Sequence, residues 1–193
     1  MNRLPSSALA LALCLVSACA STPKAKPPVD LKGFLVTRPV EDGWQVASQT
    51  PDQLVLGKAG DFTGETLIFQ ATVVSLPATA SGKELLRYAE STLRRDLDSA
   101  RFRILQVDVW PTDIRGQACA MSHMEGAERS TGEGTASPVN VLIETLTLTC
   151  PHPQKPTHGI SSVYSHRHLP EDRNPAFVQF GTALLSTLEF GTP

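Results

Sequence analysis

The sequence has little net charge, few aromatic side chains and no long apolar segment after its N-terminus. Its 17 Lys and Arg residues against 19 Asp and Glu give a formal charge of −2, and they form no basic cluster. A protein that binds phosphate backbones needs a concentration of positive charge, so we expect neither DNA nor RNA as a partner. Hydrophobic residues make up 41% of the chain, which is too many for a disordered protein. The composition is that of one globular domain.

The sequence also lacks the short motifs that mark common catalytic sites. It contains no GxSxG, HExxH, Walker or GxGxxG motif. Its one SxxK match, Ser21 to Lys24, lies in a proline-rich segment where nothing would bury the lysine. We therefore expect a protein that is not an enzyme and that needs no cofactor.

The N-terminal residues have the pattern of a bacterial lipoprotein signal. Arg3 precedes the apolar run 8–16, which is too short to span a bilayer but is typical of a signal peptide. The run ends in the sequence Val-Ser-Ala-Cys at 16–19. These four residues resemble the lipobox of bacterial lipoproteins, in which the cysteine thiol receives a diacylglycerol before cleavage. Ordinary signal cleavage after Ala18 or Ala20 is the alternative.

Lipidation of Cys19 would hold the mature chain in the cell envelope. The resemblance implies a signal peptide over 1–18 and two or three acyl chains on Cys19, which are enough for stable membrane anchoring. Residue 20 is alanine. By analogy with enterobacterial sorting, aspartate there would favour the inner membrane, so we expect the periplasmic face of the outer membrane. Residues 19–30 carry three prolines and no apolar period, which predicts a linker before a single domain over 31–193.

Two cysteines, Cys119 and Cys150, remain in the predicted domain. No CxxC or Cys/His spacing indicates a zinc site, so the alternatives are a disulfide and two buried thiols. Alternation places both cysteines on the apolar faces of two strands. If these strands pair in antiparallel fashion with Cys119 opposite Cys150, Met121 falls opposite Leu148. We predict a disulfide, because this register is self-consistent and the expected compartment is oxidising.

The remaining pattern predicts an α+β domain. A capping-box spacing at Ser81 and Glu84 begins an amphipathic helix over 81–99, and Asn174 with Pro175 begins a second helix near the C-terminus. The first three strands are expected to meander, and residues 151–159 are expected to connect two strands without regular pairing. We predict a curved, mainly antiparallel sheet of about seven strands packed with two helices. The strands are predicted at 34–37, 44–47, 54–56, 66–76, 102–110, 116–125, 140–150 and 160–168.

This order of elements resembles the Mog1/PsbP-type domains. The similarity covers about residues 33–190 and includes Trp44 at the start of the sheet and the closing sequence Leu-Ser-Thr-Leu-Glu-Phe at 185–190. Members of this group are mostly non-enzymatic accessory or binding proteins of large assemblies or envelopes. The resemblance therefore implies a membrane-anchored, non-catalytic module that binds an envelope protein. A periplasmic lipoprotein that binds a small ligand or a metal is the alternative.

His166 and His168 are the candidate metal ligands. Residues i and i+2 of a strand face the same side, so the two imidazoles could share a metal ion. We expect instead that both are solvated at an exposed strand end. His123 falls on a predicted buried face, where a histidine with one hydrogen bond is expected. A third ligand to a metal is available in the flanking residues His152, His158, Glu171 and Asp172.

Overall fold

The computed structural model describes residues 27–61, 64–77, 82–96, 101–128 and 141–193. Within these residues the chain forms ten strands, two helices and a short 3-10 turn at Pro170–Asp172. The predicted signal peptide, Cys19 and most of the predicted linker lie outside the described part. The elements are β1 (Val29–Leu31), β2 (Phe34–Val36), β3 (Gln45–Thr50), β4 (Gln53–Ala59), β5 (Thr66–Ser75), α1 (Gly82–Asp96), β6 (Phe102–Ile114), β7 (Gln117–Glu128), β8 (Leu142–His152), β9 (Lys155–His168), α2 (Phe177–Leu185) and β10 (Glu189–Phe190).

Seven of the strands form one antiparallel sheet in the order β3-β4-β5-β9-β8-β7-β6. β7 and β8 pair in the predicted register, with Met121 opposite Leu148. Cys119 and Cys150 form the predicted disulfide, and their Cα atoms are 4.5 Å apart. The predicted fold class, an antiparallel sheet packed with two helices, is confirmed.

The two helices lie on opposite faces of this sheet. Leu85 and Ala89 of α1 pack with Ala120 of β7. Met121, the next residue along β7, points to the other face and belongs to a larger core that includes Phe177 of α2. We call these two sides the α1 face and the α2 face. Neither helix in the described part is long and apolar enough to cross a membrane.

The first predicted strand is not part of the seven-stranded sheet. β2 pairs with β1 and β10 in a separate three-stranded antiparallel sheet, and Phe34 of β2 is fully buried. The prediction of a three-strand meander is therefore wrong at its first strand. One partner of β2 is β10, from the far end of the chain, and local sequence cannot identify such a pairing. β1 also includes Val29 and Asp30, which the sequence pattern placed at the end of the linker.

The prediction that residues 151–159 connect two strands without pairing is wrong. β8 continues to His152, β9 begins at Lys155, and Pro151 lies opposite Gly159. The register shifts between Pro151 and His152. Such an irregularity tolerates proline, because the ladder does not require a backbone N–H at every position there.

Candidate functional site

Polar side chains converge on the α2 face at one end of the seven-stranded sheet. The register places Glu125, Glu144 and His166 in one row across β7, β8 and β9. Directly paired residues share a face, so these side chains lie side by side. Adjacent rows add His123 and His168. We call the following set the end cluster: Glu65, His123, Glu125, Glu144, His166, His168 and Arg173.

Two histidine–glutamate pairs hold the end cluster together. His123 Nε2 lies 2.8 Å from Glu144 Oε1, and both side chains are buried. His166 Nε2 lies 2.7 Å from Glu65 Oε1, in a similarly enclosed pair. A carboxylate oxygen only accepts, so the imidazole nitrogen donates in each pair. The expectation that His123 is buried with a hydrogen bond is confirmed, and its partner is a carboxylate.

His166 and His168 are 5% and 1% exposed, so the prediction that they are solvated at a strand end is wrong. β9 is the central strand of the sheet, and β5 and β8 flank it on either side. The two rings stack with their centroids 4.6 Å apart. His166 is paired with Glu65, whereas His168 Nδ1 lies 2.6 Å from the backbone oxygen of Leu169. The two imidazoles are thus held by separate partners.

The third ligands considered for His166 and His168 do not join them. His158 lies eight residues before His166 on β9, which corresponds to about 26 Å of extended strand. Its Nε2 lies 3.1 Å from the backbone oxygen of Lys32. His152 lies near it, with ring centroids 6.3 Å apart. Glu171 and Asp172 are exposed in the 3-10 turn.

Sequence reasoning missed the charged members of the end cluster, namely Glu65, Glu125, Glu144 and Arg173, and Glu144 is the most buried of them. It is 3% exposed, and its Oε2 is buried without a hydrogen-bond partner among the described residues. Arg173 donates to Glu125 and also lies 3.9 Å from Glu144 Oε1. A signal was present in the sequence, because Glu144 has the same strand parity as Leu146 and Leu148 and so places a charge on an apolar face.

Uncharged side chains occupy much of the α1 face. In the described part of the chain, α1 packs on β6 and β7. The neighbouring strands β8, β9, β5 and β4 carry half-buried hydroxyl, amide and valine side chains in directly paired rows. We call this surface the neutral face, and its residues are Gln53, Val55, Gln70, Thr72, Thr145, Thr147, Ser161 and Val163.

A cavity of about 210 Å³ lies between α1 and the margin of the neutral face. It is lined by Thr92 and Leu93 of α1 and by sheet residues that include Thr147 and Val163. Thr92 Oγ1 is buried without a hydrogen-bond partner among the described residues. The cavity therefore combines apolar wall surface with the hydroxyl groups of Thr92 and of four residues of the sheet, Thr145, Thr147, Thr149 and Ser161.

Three charged side chains, Glu128, Arg101 and Arg167, form a network of ion pairs at one end of the α1 face. Glu128 accepts hydrogen bonds from Arg101, at 2.7 Å, and from Arg167, at 2.5 Å. Burial raises the pKa of Glu128, but the hydrogen bonds and charges of the two guanidinium groups outweigh this effect and bring the pKa below its ordinary value.

Tyr164 lies in the core between the sheet and α2. Its ring stacks on Phe177 with centroids 5.1 Å apart. Burial raises the pKa of Tyr164 to about 12, and the negative charge of Glu41 adds to the effect. The phenol therefore remains protonated at neutral pH.

A similar fold occurs among solved structures. The Ran-binding protein Mog1p of Saccharomyces cerevisiae superposes on this chain with a TM-score of 0.50 and 14% sequence identity, over 89% of this chain and 97% of that chain. The Mog1-type fold predicted from the order of elements is therefore confirmed. No protein-family model matches the sequence, and no curated protein does. At this level of identity the similarity establishes the fold alone.

Proposed function

We propose that this chain is a membrane-anchored, non-catalytic module of the cell envelope that binds a protein partner through the neutral face. The lipobox-like residues at 16–19 support a lipid anchor on Cys19 and a position at the periplasmic face of the outer membrane. The fold supports a binding role, because the similar structure is that of a Ran-binding protein. The partner here is an envelope protein.

The observation that carries this proposal is the composition of the neutral face. Val55, Gln70, Val163 and Thr147 form one continuous row across β4, β5, β9 and β8. Uncharged side chains are less costly to remove from water than charged ones, and hydroxyl and amide groups can form new hydrogen bonds with a partner. Depletion of charge is typical of the centre of protein interfaces.

Site-specific photocrosslinking in cells tests this proposal. A photoreactive amino acid at Val55 or at Thr72 is expected to give a discrete adduct with one envelope protein. Asp108 provides the matched control, since it is exposed on the edge strand β6 and pairs with His123, which places it on the α2 face. An equal yield of the same adduct from Asp108, or no adduct from either position on the neutral face, would contradict the proposal.

A small-ligand carrier is the second candidate function, and the cavity beside α1 favours it. Its volume of about 210 Å³ is smaller than the roughly 300–1,000 Å³ of typical ligand pockets, so we rank this function second. A ligand there would be a small, mainly apolar molecule with one polar group for Thr92. Mass spectrometry of the protein extracted from membranes is expected to find such a compound bound if the carrier function is correct. Leu93→Trp, which fills the cavity, should then release it.

A further inference from the structure

We propose that His123, Glu125 and Glu144 form a binding site for one divalent transition-metal ion, and that Arg173 takes the place of the cation when no metal is bound. This site lies on the α2 face, so the inference is independent of a partner on the neutral face. One imidazole and two carboxylates form a ligand set suited to Zn²⁺ and similar ions.

The geometry of the three side chains supports this assignment. Each offers one ligand atom, and these atoms all lie within 4.8 Å of one another. Ligand atoms around a tetrahedral zinc ion are about 3.4 Å apart, given metal–ligand bonds near 2.1 Å. Small side-chain rotations would therefore complete the site. Glu125 and Glu144 are directly paired on β7 and β8, and His123 follows the same face of β7, so the backbone that positions them is rigid.

The second oxygen of Glu144 provides an independent observation. Glu144 is 3% exposed, and its Oε2 has no hydrogen-bond partner among the described residues. The other oxygen of the same carboxylate already contacts His123 and lies near Arg173, so Oε2 belongs to the same cluster. A buried carboxylate oxygen without a partner is costly. A metal ion bound to this carboxylate would remove that cost.

The charges of the cluster favour a divalent ion. Glu125 and Glu144 supply two negative charges at directly opposite positions, whereas Arg173 supplies a single positive charge. The two carboxylates therefore carry one more negative charge than Arg173 balances. The side chain of Arg173 is 52% exposed, so it can move into solvent at little cost when a cation enters. A divalent ion would then balance both carboxylates.

The nearby pair formed by His166 and Glu65 is part of the surroundings of this site. His166 lies directly opposite Glu144 on β9, and its Nε2 is engaged by Glu65. This pair has its own hydrogen bond and is not needed as a ligand. Glu128→Gln serves as a matched control away from these residues, because Glu128 is a glutamate of the same strand β7 that lies on the α1 face, where Arg101 and Arg167 bind it.

Isothermal titration of the full-length, chelator-treated protein with ZnCl₂ tests the site. Wild-type protein is expected to bind one equivalent. Glu144→Gln should weaken binding at least about tenfold, and Arg173→Gln should strengthen it. Glu128→Gln should leave the affinity unchanged. If Glu144→Gln does not fold, Glu125→Gln at a partly exposed position provides the same comparison, with thermal unfolding as the check on folding.

Cobalt gives a second readout that a purely structural role would not affect. Co²⁺ bound by the three ligands should produce a visible absorption band that Glu144→Gln abolishes. The proposal is overturned if wild-type protein binds neither ion. It is also overturned if Glu144→Gln and Glu125→Gln both bind zinc as tightly as wild type, or if Glu128→Gln loses binding as completely as Glu144→Gln.

Discussion

The disulfide between Cys119 and Cys150 should make a large contribution to the stability of the domain. The bond joins β7 to β8 across 31 positions of sequence, and both cysteines lie in the main core. In the chain-entropy model, a closed loop of this length lowers the entropy of the unfolded chain enough to stabilise the fold by about 3.7 kcal/mol at 25 °C. Replacing both cysteines in the variant C119A/C150A removes that constraint and a little core volume.

Urea unfolding followed by circular dichroism measures this contribution. We expect C119A/C150A to lose about 3 to 4 kcal/mol of unfolding free energy, and its melting temperature to fall by roughly 7–15 °C. Wild-type protein reduced while unfolded and then refolded under reducing conditions is the control, because it keeps the sulfur atoms in the core. A loss below about 1 kcal/mol in both samples would refute the reasoning, since it would show that the bond does not restrict the unfolded chain.

Three further predictions concern packing and pH. In Gly159→Ala the new Cβ would lie 2.5 Å from Leu76 Cδ1, so urea unfolding should show a loss of about 1–3 kcal/mol. Gly57→Ala meets nothing within 4 Å and should be neutral or slightly stabilising; equal losses in the two variants would contradict the packing argument. Folding raises the pKa of Tyr164 from 10.0 to about 12. The free energy of unfolding should therefore fall by about 2–3 kcal/mol as the pH rises between these two values. Tyr164→Phe should not show this fall in unfolding free energy at high pH. The same fall in the variant and the wild type would contradict the assignment to Tyr164. Because the pKa of Glu128 is lowered, its stabilisation is present above the ordinary value of 4.5 and is lost as pH falls below it. Glu128→Gln should therefore make the free energy of unfolding depend less on pH in the acid range. The same acid dependence in the variant and the wild type would contradict this prediction.

Local patterns were sufficient for the parts of the fold that neighbouring segments decide. The alternation around Cys119 and Cys150 is specific enough to predict both the β7–β8 register and the bond. A one-residue slip would turn every apolar side chain of a strand to the opposite face, so few registers are acceptable. The apolar patterns likewise predicted both helices. The prediction that Asn174 is the N-cap of the second helix is wrong: α2 begins at Phe177, after a turn in which Asn174 Oδ1 accepts a hydrogen bond from the Ala176 amide, and Ser81 of the predicted capping box lies outside the described residues.

The candidate site depended on information that local sequence does not contain. His166 and His168 are buried because β9 is central in the sheet, and that position is set by pairing with β5, which is distant in sequence. Glu65 and Arg173 reach the end cluster from segments whose placement follows from the whole topology. Glu144 was detectable as a charge on an apolar face, but its partner His123 became identifiable only once the register was known.

We propose, above all, that a lipid on Cys19 anchors this domain in the cell envelope. Metabolic labelling with a palmitate analogue in a bacterial host, with and without the lipoprotein signal-peptidase inhibitor globomycin, tests it directly. We expect the wild-type protein to carry the label, to sediment with outer membranes and to accumulate as a longer precursor under globomycin. Cys19→Ala should remain unlabelled. A wild-type chain that matures normally in the presence of globomycin and takes up no label would contradict the claim.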